Sequence, residues 1–212
     1  VKKVDSPEHF VYYQCTRGTA PRKHDYAEGP GNLWVTITPQ VMSDGTKRIK
    51  LRSEPDTRFY HCNIKTLNLL PAVMSSQAAK REGVQETVYY RANMGNRVTE
   101  CAHSNVHILK DGALKTAPCD NLILPGITRA HRIAQCREMG IPVIEEPFTV
   151  KEMMDADEIF FTSASALCVC SNGSGSTSTA SHTQRRRSPS NANRHSRYSA
   201  ANSTHHPNSV AR

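Results

Sequence analysis

The sequence holds no run of eighteen apolar residues and a single tryptophan among 212 residues, so nothing in it has the length and hydrophobicity of a membrane-spanning helix. No two of its seven cysteines (Cys15, Cys62, Cys101, Cys119, Cys136, Cys168 and Cys170) stand at Cys-x-x-Cys spacing. An odd number without that spacing speaks against a disulfide frame or a zinc site and predicts reduced, partly buried thiols. The first residues, Val1-Lys2-Lys3-Val4-Asp5, include neither an initiating methionine nor an apolar run of signal-peptide length. A cytoplasmic protein without a membrane partner is expected, with its true N-terminus lying upstream.

The last forty residues lack still more. Residues 173–212 contain no Ile, Leu, Met, Phe, Trp or Cys, no lysine and no acid, but six arginines. Such a segment cannot bury enough apolar area to offset its ordering entropy, and a disordered basic tail is predicted there. Its Ser/Thr/Asn/His/Arg mixture also suits a coding frame that has shifted. Without those six, 21 basic side chains face 19 acidic ones in residues 1–172. A body so close to neutral argues against a nucleic-acid-binding domain. The tail alone could hold acidic partners non-specifically.

What is present alternates between strand and helix signals. Residues 10–18 and 33–38 are rich in aromatic and β-branched side chains and read as strands, with Arg48-Ile49-Lys50-Leu51 able to run back beside the second. From 66 to 80, Leu67, Leu70, Val73, Met74 and Ala78 recur at helical spacing, with Gly83 as a stop. Pro71 is tolerated only in a first turn, so that helix starts near it. Residues 84–91 and 97–100 form one predicted hairpin, and 105–109 and 113–116 another around Asp111-Gly112. A helix follows Pro125-Gly126 and stops at Gly140. Thr149-x-x-Glu152 is a capping box, and 157–165 is a strand ending in hydroxyls and small residues.

Three features could carry chemistry. Lys65 stands alone among uncharged, largely apolar neighbours in His61-Cys62-Asn63-Ile64-Lys65-Thr66-Leu67-Asn68-Leu69-Leu70. An amine becomes a nucleophile, able to form a Schiff base, where apolar surroundings disfavour its charge. The same pattern fits a lysine whose stem lies along apolar surface with its head in water. Glu100 at a strand end is either a solvent-facing acid or a placed carboxylate. Gly126-Ile127-Thr128 opens a helix, where free N–H groups and a hydroxyl can hold an anion, although Thr is also an ordinary cap residue.

Lys65, followed by Val98-Thr99-Glu100, Ser104-Asn105-Val106 and Leu122-Ile123-Leu124-Pro125-Gly126-Ile127-Thr128-Arg129 in that order, resembles the class IV (fold type IV) pyridoxal-phosphate aminotransferases over about residues 10–170. That family includes D-amino acid aminotransferase, branched-chain aminotransferase and aminodeoxychorismate lyase. The resemblance implies an α/β (α+β) fold with mixed, mainly antiparallel sheets and packed helices. It divides the chain into the end of a small, incomplete N-terminal domain at 1–45, a larger cofactor domain at 46–172, and the tail at 173–212.

The resemblance also implies pyridoxal 5'-phosphate held by Lys65 as a Schiff base, with Glu100 on its ring nitrogen, Leu124 on its ring face, and Gly126, Ile127 and Thr128 at its phosphate. Ser163 and Ala164 also fall at the phosphate, where Ala164 replaces a threonine and removes a side-chain contact. Pro21-Arg22-Lys23-His24, which on pattern alone is a solvated basic loop, is similar to a segment whose arginine and histidine hold the substrate carboxylate in the D-amino acid enzymes. Amino acid and 2-oxo acid substrates and a homodimer are implied as partners. The branched-chain and lyase activities share the same lysine and glutamate framework.

Overall fold

The computed structural model describes residues 8–41, 47–165 and 167–170. The predicted turn at 43–46 and the tail at 173–212 lie outside them. The chain forms two compact units, Val1–Met42 and Ser43–Arg212.

In the first unit, β1 (His9–Thr16) pairs antiparallel with β2 (Asn32–Pro39) in unbroken register from His9 opposite Pro39 to Thr16 opposite Asn32. The intervening segment is closed at its base by backbone packing. A Cβ on Gly31 would lie 2.5 Å from the Thr16 carbonyl oxygen, an approach only glycine permits. Farther out, the Arg17 guanidinium stacks 3.8 Å above the Tyr26 ring centroid. Tyr13, Leu33 and Trp34 on the ribbon are exposed.

The second unit builds two sheets. β3 (Arg48–Ile49), β7 (Asn105–Lys110), β8 (Ala113–Thr116), β9 (Val143–Glu145), β10 (Glu158–Thr162) and β11 (Leu167–Cys170) join in the order β3-β11-β10-β7-β8-β9. β4 (Leu51–Pro55), β5 (Glu86–Arg91) and β6 (Arg97–Cys101) make the other, with β4 parallel to β5 and β6 antiparallel to it. The helices are α1 (Leu70–Arg81), α2 (Ile127–Glu138) and α3 (Val150–Met154). Among the described residues, no helix is long and apolar enough to cross a membrane.

Alternation along the strands decides what each face of the larger sheet meets. Val106, Ile108 and Phe161 point into a core shared with Val88 and Val98 of the smaller sheet and with Phe148 and Met153. From the opposite face, Leu114 and Phe160 pack against Ile133 and Cys136 of α2. The β7–β8 turn places Asp111 and Gly112 at φ 50° and 80°, the two left-handed positions that a two-residue hairpin turn requires. α3 carries the reciprocal capping box between Thr149 and Glu152.

Two sequence expectations are corrected. Residues 48–51 do not return beside β2: the chain splits at Lys50, sending Ile49 to β11 and Leu51 to β5, because both side chains serve the same core. The helix predicted from 66–80 forms, with Pro71 in its first turn, but Leu70, Val73 and Met74 are exposed. Its buried positions are the small Ser75 and Ala79, one turn apart, which let the helix approach β5, where Thr87 Oγ1 donates to the Ser75 carbonyl at 3.3 Å. β10 is an interior strand of the larger sheet. It lies between β7 and β11, with Phe160 and Phe161 buried on opposite faces.

His107, fully buried on β7, stacks on Phe160 at 4.8 Å and shares a 2.9 Å hydrogen bond between its Nε2 and Thr162 Oγ1. Burial, helped by Arg129 and Arg132, pushes its pKa down from 6.5 to about 3. The folded chain therefore keeps the ring neutral where the unfolded chain protonates it. That contribution to stability is complete above pH 6.5 and is lost as pH falls toward 3. Between pH 7 and 5, the parent is expected to lose about 2 kcal/mol more unfolding free energy than His107→Gln. Urea unfolding of both proteins at the two pH values checks this.

Candidate functional site

The site grows from one end of the larger sheet. Asn105 begins β7 and faces Thr162, the last residue of β10. A tight turn, closed by the Cys101 N–H donating to the Ser104 carbonyl at 2.8 Å, carries the chain to Asn105 from the end of β6, where Glu100 lies. Glu100 is not the solvent-facing acid that its position allows: it is 6% exposed.

Its carboxylate is held by three donors. Arg58 Nη1 reaches Oε1 at 2.7 Å, while Oε2 accepts from Asn105 Nδ2 at 3.1 Å and from the Leu124 N–H at 3.0 Å. A carboxylate offers about four acceptor positions, so among the described residues one remains open, on Oε1. Burial raises the Glu100 pKa against the opposing pull of the Arg58 charge and hydrogen bond.

Arg58 is itself clamped. Asp56, whose side chain is fully buried, accepts the Arg58 backbone N–H and Nε on Oδ1, each at 3.0 Å, and Nη2 on Oδ2, also at 3.0 Å. Thr99 Oγ1 adds a bond to Oδ2 at 2.9 Å, with Arg91 Nε 3.4 Å away. Burial alone would raise the Asp56 pKa, but the Arg58 bonds and charge outweigh it and hold the carboxyl below its usual range. The guanidinium also lies 4.6 Å from the Tyr89 ring centroid and donates from Nη2 to the Leu122 carbonyl at 3.3 Å. Sequence reasoning gave none of Asp56, Arg58, Arg91 and Asn105 a role. The spacing Asp56-x-Arg58 just past a strand end was a usable signal for the pair.

Lys65 follows this clamp by seven residues. Its segment is pinned ahead of it by the Cys62 N–H donating to the Asn121 carbonyl at 3.0 Å, beside Leu122. The expected apolar setting is corrected here. Lys65 is exposed, as are Ile64, Leu67 and Leu69 around it. Among the described residues, its amine has no hydrogen-bond or ion-pair partner.

The loop from Leu124 runs from Glu100 into α2. Asn105 donates from Nδ2 to the Leu124 carbonyl at 2.9 Å, and a Cβ on Gly126 would lie 2.1 Å from Asn105 Oδ1. Gly126 caps α2 without a side-chain bond, and the first helical bond runs from Ala130 N–H to the Gly126 carbonyl. The N–H groups of Ile127, Thr128 and Arg129 thus have no partner within the helix. The Thr128 hydroxyl donates to the Ser163 carbonyl at 2.9 Å, so its proton is committed rather than offered to an anion. Ala164 beside it is exposed. Glu100, Leu124, Gly126, Ile127, Thr128, Ser163 and Ala164 are therefore linked through adjoining bonds and chain. Arg22 and His24 belong to the first unit, exposed in the segment between its strands.

The family model described as amino-transferase class IV matches residues 1–170. D-alanine aminotransferase of Listeria monocytogenes serotype 4b (strain F2365) is 39% identical over 161 residues, covering 73% of this chain and 55% of the relative. D-alanine aminotransferase of Bacillus licheniformis is 36% identical over 166 residues, with 74% and 55% covered. The chain thus spans about half the length of these curated relatives. In fold it resembles the branched-chain amino acid aminotransferase of Escherichia coli, with TM-score 0.64 and 23% identity over 76% of this chain and 55% of that one. It also resembles a fold IV transaminase from Curtobacterium pusillum, with TM-score 0.66 and 21% identity over 76% and 58%. The mixed, antiparallel-rich architecture is that of fold IV aminotransferases.

Because the space beside Gly126 is filled by Asn105, Gly126→Ala is expected to push the Asn105 amide away and loosen its bonds to Glu100 and Leu124. Hydrogen exchange at the Leu124 amide should accelerate about tenfold or more, the equivalent of one lost charged hydrogen bond. An unchanged rate would show that the carboxylate is held without Asn105.

Proposed function

The chain belongs to the class IV aminotransferase family, and from that membership we propose that it carries the chemical site of a pyridoxal-phosphate-dependent aminotransferase acting on D-amino acids. D-alanine with a 2-oxo acid such as 2-oxoglutarate is the substrate pair. The observation that carries the reading is the buried Glu100 carboxylate of β6, bonded on three sides and open on one among the described residues, and tied through the Leu124 N–H to the loop that leads into Gly126 and Thr128.

The residues present fit that cofactor. A buried carboxylate with an unused acceptor position suits a ring nitrogen, an unpartnered lysine amine suits an aldehyde, and an uncapped helix start suits a phosphate. When bound, pyridoxal phosphate supplies an aldehyde carbon that condenses with amines and a ring that withdraws electrons from Cα. Lys65 Nζ would be the amine that holds it, and as a free amine it would be the base that carries the substrate's Cα proton. Glu100 Oε1 would accept the ring N–H and keep that nitrogen protonated. The N–H groups of Ile127, Thr128 and Arg129, without a partner inside the helix, would bind the phosphate. Leu124, half-buried, covers the ring face.

Arg22 and His24 hold the substrate carboxylate in this reading, the arginine as a fork and the imidazole as a further donor. The relatives named D-alanine aminotransferase, at 36–39% identity, support the D-amino acid substrate. A homodimer in the cytoplasm completes the proposal.

In the complete protein, the visible or near-ultraviolet band of covalently held cofactor should vanish in Lys65→Ala, and borohydride should fix no cofactor to that variant. A borohydride-stable adduct in Lys65→Ala would remove Lys65 from its role. Replacing Arg22 by Met should raise KM for D-alanine tenfold or more, about 1.4 kcal/mol of lost binding, with cofactor affinity unchanged. A parent enzyme that prefers L-leucine to D-alanine would instead support the branched-chain activity.

A further inference from the structure

The two buried carboxylates around Arg58 are not treated alike. Asp56 accepts two bonds on each oxygen and has no acceptor position left. Glu100 receives one N–H from the same guanidinium and keeps a place on Oε1. We propose that Asp56, acting through Arg58, is a positioning residue for Glu100: it takes the fork of the guanidinium and leaves Glu100 a single N–H and an open acceptor position for the cofactor ring nitrogen. This rests on the reading of Glu100 as the ring-nitrogen partner.

The division has a chemical consequence. A carboxylate facing an undivided arginine fork is a weak base, because both its oxygens are already bonded to positive charge. With the fork committed to Asp56, Glu100 retains basicity, and a proton can be shared strongly between Oε1 and a ring nitrogen. The directions of the two carboxyl pKa values, down for Asp56 and up for Glu100, agree with the geometry. The titratable and charged groups around Glu100 are Asp56, Arg58 and Cys62 on the segment before α1, Arg91 on β5 and Cys101 beside it on β6. The two thiols are pushed up by burial and stay neutral. Arg91 faces Asp56 and reinforces its charge.

Carboxyl-carbon NMR of the full 212-residue chain, without cofactor, reads each group directly. In the parent, Asp56 should titrate below Glu100, and this order needs no variant. Asp56→Asn frees the guanidinium for Glu100 and should lower the Glu100 midpoint. Arg58→Met should raise it by about one pH unit or more. A reversed order in the parent, or a Glu100 midpoint unmoved by Asp56→Asn in a folded chain, overturns the proposal.

Pyridoxal phosphate labelled with 15N in the ring then tests the link to the cofactor. Its ring-nitrogen resonance should shift toward the unprotonated position in Arg58→Met. If it stays put although Glu100's titration has moved, the ring link is overturned. If the parent chain takes up no cofactor, the functional reading fails on its own, and the carboxyl titrations still decide the role of Asp56.

Discussion

One guanidinium shared between two buried carboxylates is the interaction on which the site depends. The side chains of Asp56, Arg58 and Glu100 are 0%, 13% and 8% exposed, so none can fall back on water. Removing one partner from such a pair strands the others and costs about 3–5 kcal/mol, far more than a surface ion pair. That penalty makes the geometry single-valued. Arg58 cannot rotate toward solvent without giving up both guanidinium bonds to Asp56, and Glu100 cannot swing away without giving up Arg58, Asn105 and Leu124 together.

The fold explains why these groups meet. Arg58 follows β4, Glu100 is the last residue but one of β6 and Asn105 begins β7, so the clamp joins the smaller sheet to the end of the larger one. The larger sheet is covered on both faces, by the shared core on one side and by α2 on the other. Its strand ends are thereby fixed, and the loop from Leu122 to Gly126 is stitched across them by Arg58, Asn105 and Glu100. Catalytic groups on such a frame need little further ordering when a ligand arrives.

Much of this was legible from local signals, and what was not involves long-range pairing. The Asp111-Gly112 hairpin, the Thr149–Glu152 capping box and the proline-led start of α1 are each written within a few residues, and each forms as read. The fate of residues 48–51 was not readable, because the partners of β3 and β4 lie far along the chain at β11 and β5. In the site, the position of Glu100 was visible, but its burial and its sharing of Arg58 were not. A charge looks exposed in sequence until its counter-charge, here 42 residues away, is placed beside it. The inward face of α1 misled for a related reason: close packing selected Ser75 and Ala79 for size, whereas the sequence pattern ranks them below leucine and valine.

The apolar run around Lys65 is a true signal that describes something other than a core. Ile64, Leu67, Leu69 and Leu70 are 56%, 52%, 51% and 67% exposed, and Val73 and Met74 extend the same surface along α1. Leaving such side chains in water forgoes about 25 cal/mol for each Å² that another surface could cover. Schiff-base chemistry, in turn, requires that water be kept from the amine. Both needs are met together if the proposed second copy covers this region, with the side chains that fail to bury Lys65 within one unit enclosing it in the assembly. The surroundings of the lysine are then a property of the dimer rather than of the folded chain. The same apolar residues that read as a buried nucleophile's neighbours in sequence are exposed in the folded chain.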